Sequence, residues 1–318
     1  MRILVLLLLA LSVQAARADA DALSWLQRIH AATQKLSYTG TFVYRGGDQA
    51  ETLRIIHIVG RHGARERLET LDGQPREIVR SDDEVKCYLP DSMTVKIDKP
   101  TDRKVFPALL PEDLQDISRH YDVMKGAIER VAGYDCQSIV LQPKDKIRYG
   151  RKLWADANTG MLLKSEIFNE AREVVEQFAF TQISIGGKID QAELKPRLLA
   201  KSRDWHVENS GAVAANLAAS GWSIRPELPG FRKITEMKRT QGGSSEVGHV
   251  VFSDGLAAVS VFIEPMASKT ALPQPGLSRQ GAINIYSRQI AGHLVTVVGE
   301  APAESVRKLA ESVEYRKP

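Results

Sequence analysis

Lys146-Ile-Arg-Tyr-Gly-Arg-Lys-Leu-Trp154, Met161-Leu-Leu-Lys-Ser-Glu-Ile-Phe168 and Glu173-Val-Val-Glu-Gln-Phe-Ala-Phe-Thr-Gln-Ile-Ser-Ile185 follow one another with only short breaks between them. Each mixes aromatic and β-branched residues with charges at roughly alternate positions, the pattern of a strand with one buried and one solvated face. Asp156-Ala-Asn-Thr-Gly160 joins the first pair, because Asp and Asn bond their own backbone and Gly accepts positive φ. Asn169-Glu-Ala-Arg172 joins the second pair in the same way. The reading is an antiparallel meander over residues 144–185. Such a meander needs further strands and a cover over its apolar face.

The preceding chain supplies both. Tyr38–Arg45, Glu51–Val59, Ala64–Leu71, Gln74–Arg80, Glu84–Leu89 and Met93–Asp98 read as short strands, with Asp72-Gly73 the clearest hairpin turn. Asp21–Leu36 reads as an amphipathic helix, since Leu23, Leu26 and Ile29 recur at helical spacing and Asp19 or Asp21 can cap it. Pro111–Ser118 suits a short helix with Pro in its first turn and acids near the positive end of its dipole. Tyr121–Val131 and Tyr134–Gln142 resume the strands. About eleven mostly antiparallel strands with few helices predict a mainly β domain, a large open or partly closed barrel.

Beyond the meander the pattern fades. Gly186-Gly187, Pro196 and the polar, alanine-rich Glu208–Ser220 make residues 187–220 the expected linker. A smaller α+β domain over 221–318 follows. Its expected strands are Arg232–Arg239, Val247–Phe252, Leu256–Glu264, Ala282–Ser287 and Gln289–Glu300, with loops at 241–245 and around Pro273 and Pro275. Pro302–Tyr315 reads as a closing helix, with Val306, Leu309 and Val313 on one stripe. The large domain then spans 19–186.

Residues 1–18 carry a positive start at Arg2, an apolar core from Ile3 to Val13 and small residues at Ala16 and Ala18, the layout of a cleavable signal peptide. The core is too short for a membrane anchor, which needs about 20 apolar residues. Export makes a disulfide between Cys87 and Cys136 one reading; two buried thiols are the other, and spacing does not decide between them. The formal charge of +4 falls to +2 once Arg2 and Arg17 leave with the signal peptide, too little to point to nucleic acid.

No pattern for catalysis emerges. The seven histidines include no HxH or HExxH pair, and His57 and His62 beside one turn are a weak metal candidate. No GxSxG elbow, P-loop or GxGxxG is present. Asp156-Ala-Asn-Thr-Gly160 begins like a calcium loop but lacks the later acids. No enzyme activity, metal or cofactor is therefore expected. What remains is an apolar sheet face carrying Phe42, Tyr44, Trp154, Phe168, Phe178 and Phe180, read either as a filled core under the helix or as a cavity for an acyl chain.

Several stretches together carry a family resemblance. They are Gly40-Thr-Phe-Val-Tyr44, Glu66-Arg-Leu-Glu-Thr-Leu-Asp-Gly73, Arg148-Tyr-Gly150, Asp156-Ala-Asn-Thr-Gly-Met-Leu-Leu-Lys164, Glu176-Gln-Phe-Ala-Phe-Thr-Gln182, Pro229-Gly-Phe231, Phe252-Ser-Asp-Gly-Leu256, Ser260-Val-Phe-Ile-Glu-Pro265 and Val295-Thr-Val-Val-Gly-Glu300. In this order and over nearly the whole chain they resemble the RseB/MucB family, periplasmic negative regulators of the envelope-stress sigma factor. The resemblance implies a large domain similar to the lipoprotein carriers LolA and LolB, an incomplete antiparallel barrel wrapped on helices. It also implies inhibitory binding in the periplasm: the protein holds the periplasmic segment of a RseA/MucA-like anti-sigma factor away from the initiating protease. Lipopolysaccharide or the acyl chains of lipoproteins then loosen that grip. Phe42, Tyr44, Trp154, Phe178 and Phe180 are the expected lipid contacts, and Arg232, Lys233 and Glu264 the expected partner contacts. A homodimer stays open, as does a lipid or lipoprotein carrier, which would need only the large domain.

Overall fold

The computed structural model describes residues 21–317, apart from His62, Asp82, 99–105, Glu112, Ala200, Ser210, 242–244 and 267–275. The signal peptide, His62 and the loop around Pro273 and Pro275 lie outside the described residues.

The alternation read in the sequence produces the strands it predicts, except that the first strand of the meander begins at Gly150 and not at Lys146, and the Pro111–Ser118 stretch is helical only from Gln115. The strands are β1 (Tyr38–Gly46), β2 (Gln49–Gly60), β3 (Gly63–Thr70), β4 (Glu77–Arg80), β5 (Val85–Leu89), β6 (Thr94–Asp98), β7 (Tyr121–Val131), β8 (Tyr134–Pro143), β9 (Gly150–Asp156), β10 (Leu162–Phe168) and β11 (Val174–Ile185). A further strand, β12 (His206–Asn209), makes the large sheet twelve-stranded, in the order β12-β6-β5-β4-β3-β2-β1-β11-β10-β9-β8-β7. Every neighbouring pair is antiparallel except β12 with β6. Two meanders, β1–β6 and β7–β11, are thus joined where β1 pairs with β11, Phe42 opposite Phe180 and Tyr44 opposite Phe178. The sheet is open, with β7 and β12 at its edges.

Helix α1 covers residues 21–35 and lies on the apolar face. Ala22, Leu26 and Ile29 are fully buried there. Burying a Leu or Ile side chain stabilises by about 1.5–3 kcal/mol, so this one stripe holds the helix down. The Asp156–Gly160 turn secures its outer side. Asp156 Oδ2 accepts from the Thr159 amide (2.8 Å) and hydroxyl (2.6 Å), shaping the turn so that Arg28 of α1 donates to the Ala157 carbonyl at 2.9 Å. Gly160 has φ +80°, and a Cβ there would press on the Arg28 carbonyl at 3.0 Å. The loop that begins like a calcium site is a helix dock.

The expected linker carries structure of its own. From Ile189 to Leu199 the chain straps over the outer face of β2 to β5, with Leu194 buried against Ile56 and Ile58. Glu77 Oε1 and Oε2 accept from the backbone amides of Arg197 (3.0 Å) and Leu198 (3.1 Å), while the buried Arg67 pairs with Glu77 at 2.8 Å. The chain then forms β12 beside β6 before leaving the large sheet.

The small domain holds β13 (Val213–Ala214), β14 (Trp222–Ile224), β15 (Arg232–Gln241), β16 (Ser245–Ser253), β17 (Ala258–Pro265), β18 (Gly276–Gln280), β19 (Ile283–Ile290), β20 (His293–Gly299), α3 (Ala303–Glu311) and β21 (Val313–Tyr315). Seven strands form one sheet in the order β13-β15-β16-β17-β20-β19-β18, and β14 pairs with β21. One face of the sheet packs through Val259, Val261, Val295 and Val297 onto Val306 and Leu309 of α3. Two expectations are corrected. The closing helix stops at Glu311, and Val313–Tyr315 pairs with Trp222–Ile224 as a strand. The turn between the last long strands lies at Ala291-Gly292, both at positive φ, and not near Arg288.

In the short helix α2 (Gln115–His120) and the turns before it, Phe106, Leu110 and Ile117 are buried in the large core. The described sheet of the large domain is mainly β and open, as the fold class predicts.

Candidate functional site

Phe42, Tyr44, Phe178 and Phe180 meet on the core-facing side of the sheet, as the alternation of β1 and β11 requires. Phe106 sits among them, stacked on Phe178 (5.2 Å between centroids, 9° between planes) and 5.3 Å from both Phe42 and Phe180. Tyr44 closes the cluster 4.9 Å from Phe178 and donates to Glu176 at 3.3 Å. Burial and the neighbouring Glu176 push its phenol up to about 12.

Trp154 does not join them. It pairs with Lys164 across β9 and β10, and the Lys152 and Lys164 ammonium groups lie over its ring at 4.4 and 4.3 Å. Leu153, its neighbour in the chain, is the residue that faces Ser165 and Phe178. Trp154, buried in the same core, therefore alternates out of phase with the cluster, its ring covered by lysine stems. Phe168 stays near the domain junction, over Gly150 and under Arg172.

The small domain meets the large one at Arg148, Tyr149 and Arg151. Arg148 has no exposed side-chain surface; it pairs with Asp254 at 2.7 Å, also with Asp145, and donates to the Pro229 carbonyl. Tyr121 donates to the same Asp254 at 3.3 Å. Arg151 pairs with Glu300 and donates to the Leu256 carbonyl at 3.0 Å; Tyr149 meets Asn284 at 2.9 Å. Isolated buried charges are costly, and here each has a partner from the other domain. The Pro229-Gly-Phe231 motif gains a physical meaning. Its first carbonyl receives Arg148, its Gly at φ +84° leaves room for His120 and Arg148, and the Phe231 ring lies 5.2 Å beneath the guanidinium. The charges of Arg148 and Arg151 read in sequence as solvated alternation, yet both are buried.

Beside this junction a cleft of about 610 Å³ separates the domains. Its floor is the face of the small sheet that α3 leaves uncovered, with Ile234, Met237, Val251 and Phe262. Its far wall is large-domain chain: Asp98, Pro111, Asp113 and Asp116. Two ion pairs bridge it, Asp116 to Arg232 at 3.0 Å and Asp98 to Arg239 at 3.2 Å. His249 stacks on Phe262 at 4.3 Å, with no hydrogen-bond partner for either ring nitrogen. Burial, aided by Arg239, lowers its pKa to about 4.

Of the expected partner contacts, Arg232 lines this cleft. Lys233 pairs with Glu236 on the exposed strand edge, and Glu264 lies on β17 two residues beyond Phe262. Sequence reasoning missed Phe106, Asp116, Arg239, His249 and Asp254. Only Asp254 carried a signal, in a motif read as a turn. His57 stacks on Tyr38 at 4.9 Å and approaches Glu66 at 3.4 Å. Among the described residues no three His, Cys, Asp or Glu side chains are grouped for a metal ion, and no helix is long and apolar enough to cross a membrane. Cys87 on β5 and Cys136 on β8 are both free thiols, with seven strands of the sheet between theirs.

An open sheet wrapped on a helix, locked to a small α+β domain across a shared cleft, defines a two-domain binding protein. Residues 21–198 match the MucB/RseB N-terminal domain and residues 216–314 the MucB/RseB C-terminal domain, so the chain belongs to the MucB/RseB family. It is 33% identical to the sigma factor AlgU regulatory protein MucB of Pseudomonas aeruginosa, over 98% of this chain and 96% of that protein. It is 26% identical to the sigma-E factor regulatory protein RseB of Haemophilus influenzae, over 97% of this chain and 96% of that one. The crystal structure of MucB in complex with MucA(peri) superposes with a TM-score of 0.71 at 29% identity, covering 93% of this chain and 99% of that chain. The family is one of regulatory binding proteins.

Proposed function

We propose that this chain is a periplasmic regulator of a sigma factor, acting on a RseA/MucA-like anti-sigma factor. The anti-sigma factor's periplasmic segment lies in the cleft between the domains, out of reach of the initiating protease. Lipopolysaccharide or lipoprotein acyl chains, entering the aromatic interior of the large domain, release it. The observation that carries the reading is the cleft itself: an uncovered apolar sheet face, walled by charged groups from both domains. A flexible segment ordering there excludes a protease by occupancy. Relatives named as sigma-factor regulatory proteins, and a MucB structure containing MucA(peri), support the same partner. The division into 1–18, 19–186, 187–220 and 221–318 belongs to this reading, with the first segment removed on export.

The test is direct. The mature protein is mixed with a labelled periplasmic segment of its own anti-sigma factor, the protease is added, and lipopolysaccharide is titrated. Binding that blocks cleavage, relieved by the lipid, is the expected result. Lipid uptake without segment binding would leave a lipid or lipoprotein carrier. Light scattering on the same samples gives the oligomeric state and so tests for a homodimer.

A further inference from the structure

The segment from Phe106 to Ile117 touches both candidate sites with opposite sides. Phe106, Leu110 and Ile117 are buried in the core of the large domain, Phe106 at the centre of the aromatic cluster. Pro111, Asp113 and Asp116, interleaved with them, form a wall of the cleft. Two further contacts tie that wall to the small domain. Asp116 pairs with Arg232, and Pro111 sits where a Cβ on Gly255 would meet it at 3.3 Å. The segment continues through α2 into Tyr121, which bonds Asp254.

We propose that this segment is the coupler between the two sites: Phe106 occupies the place of an acyl chain, and a chain that displaces it moves Pro111 and Asp116 and so reshapes the cleft. The inference rests on the regulatory reading above and supplies its mechanical step. The physical case is one of exclusion. Phe106 packs ring against ring with Phe42, Phe178 and Phe180, so a chain that takes its place among them must displace it. Phe106 is the member of the cluster carried on turns and a short helix; its ring partners are held in β1 and β11 by ladder hydrogen bonds. A ligand that favours the displaced form shifts the population in proportion to its difference in affinity for the two.

The test uses the full mature chain and hydrogen–deuterium exchange, with and without a single-chain lysophospholipid below its micellar concentration. Expected in the parent protein is an increase of at least threefold in exchange rate in residues 106–117 and, together with it, in residues 232–235. Phe106→Ala opens space for the chain, so the lipid binds and neither segment responds. Asp116→Asn cuts the link on the surface and leaves the interior intact: 106–117 still responds and 232–235 no longer does. This second variant keeps the test decisive should Phe106→Ala not fold. No lipid uptake, a response confined to 106–117 in the parent, or an Asp116→Asn response equal to the parent's would each overturn the proposal. Failure of the anti-sigma segment to bind, with the coupled exchange response intact, would count against the regulatory reading alone.

Discussion

Arg148 and Asp254 form an ion pair at 2.7 Å in which neither side chain reaches solvent, and each belongs to a different domain. The cost of dehydrating both is offset only while both are present. Arg148→Met alone strands Asp254, and Asp254→Leu alone strands Arg148; each is expected to cost about 3–5 kcal/mol. The double variant should recover a large part of that loss. Urea unfolding of the four proteins completes the cycle, and additive losses would show that the pair is not coupled.

Acid should weaken the small domain through His249. Its imidazole stays neutral in the folded chain down to about pH 4, whereas the ordinary value is 6.5. Between those values the unfolded chain binds more protons, so stability falls as pH drops through that window and is unaffected by this group above it. From pH 7 to 5 the parent should lose about 2 kcal/mol more than His249→Phe, which keeps the stack on Phe262 without a titrating group. Thermal melts at the two pH values give the difference; equal losses would remove the assignment.

The strap over the large sheet hangs on Glu77. Replacing it with Ala frees the amides of Arg197 and Leu198 and leaves the buried Arg67 without its nearest partner, at an expected cost of about 3 kcal/mol. Lys195, Arg197, Lys201 and Arg203 are already exposed, and release of the strap frees the backbone that carries them to enter a protease. Limited trypsin digestion of the native variant should cut among them at least tenfold faster than in the parent.

Two hairpin tips meet backbone to backbone between the domains. Gly281 has φ +58°, and a Cβ there would lie 2.9 Å from Gly46 Cα. Gly281→Ala combines left-handed strain with that collision and should cost about 1–3 kcal/mol. The equivalent change at Gly292, also at positive φ but with open space around it, should show the strain alone.

Burial pushes the Cys136 thiol up to about 12 and also raises the Cys87 thiol above its ordinary value. Iodoacetamide at neutral pH should label Cys87 slowly and Cys136 not at all until the chain unfolds. Mass spectrometry that finds neither labelled after unfolding without reductant would reveal a disulfide.

The strands legible in sequence are those buried on one face. In β1, β2 and β9 to β11 alternation has a partner to bury against, so the pattern survives in the residues. β12 and β18 are exposed at every position and are the edge strands of their sheets, so burial wrote nothing into them. β21 was hidden because Val313 continues the helical stripe of Val306 and Leu309. The aromatic cluster was read in four of its five members; Phe106 lies in a stretch with no periodicity to mark it. Trp154, buried in the same core, alternates out of phase with the cluster; β9 is apolar or aromatic at successive positions 153–155, so its parity was not legible. The cleft was invisible for a different reason: its ion pairs join residues more than a hundred positions apart, and nothing local requires them.

The seam between β1 and β11 also sets an order of events. β1 ends at Gly46, and its second partner begins at Val174. At about 5–20 residues per second, a ribosome needs roughly 6–25 s to make the intervening chain. For that time the hydrogen-bonding edge of Gly40-Thr-Phe-Val-Tyr44 has no strand of its own to meet. Any cell that makes this protein must keep the early meander from finding a neighbour first, so the seam that completes the sheet is also where its assembly is most easily misdirected.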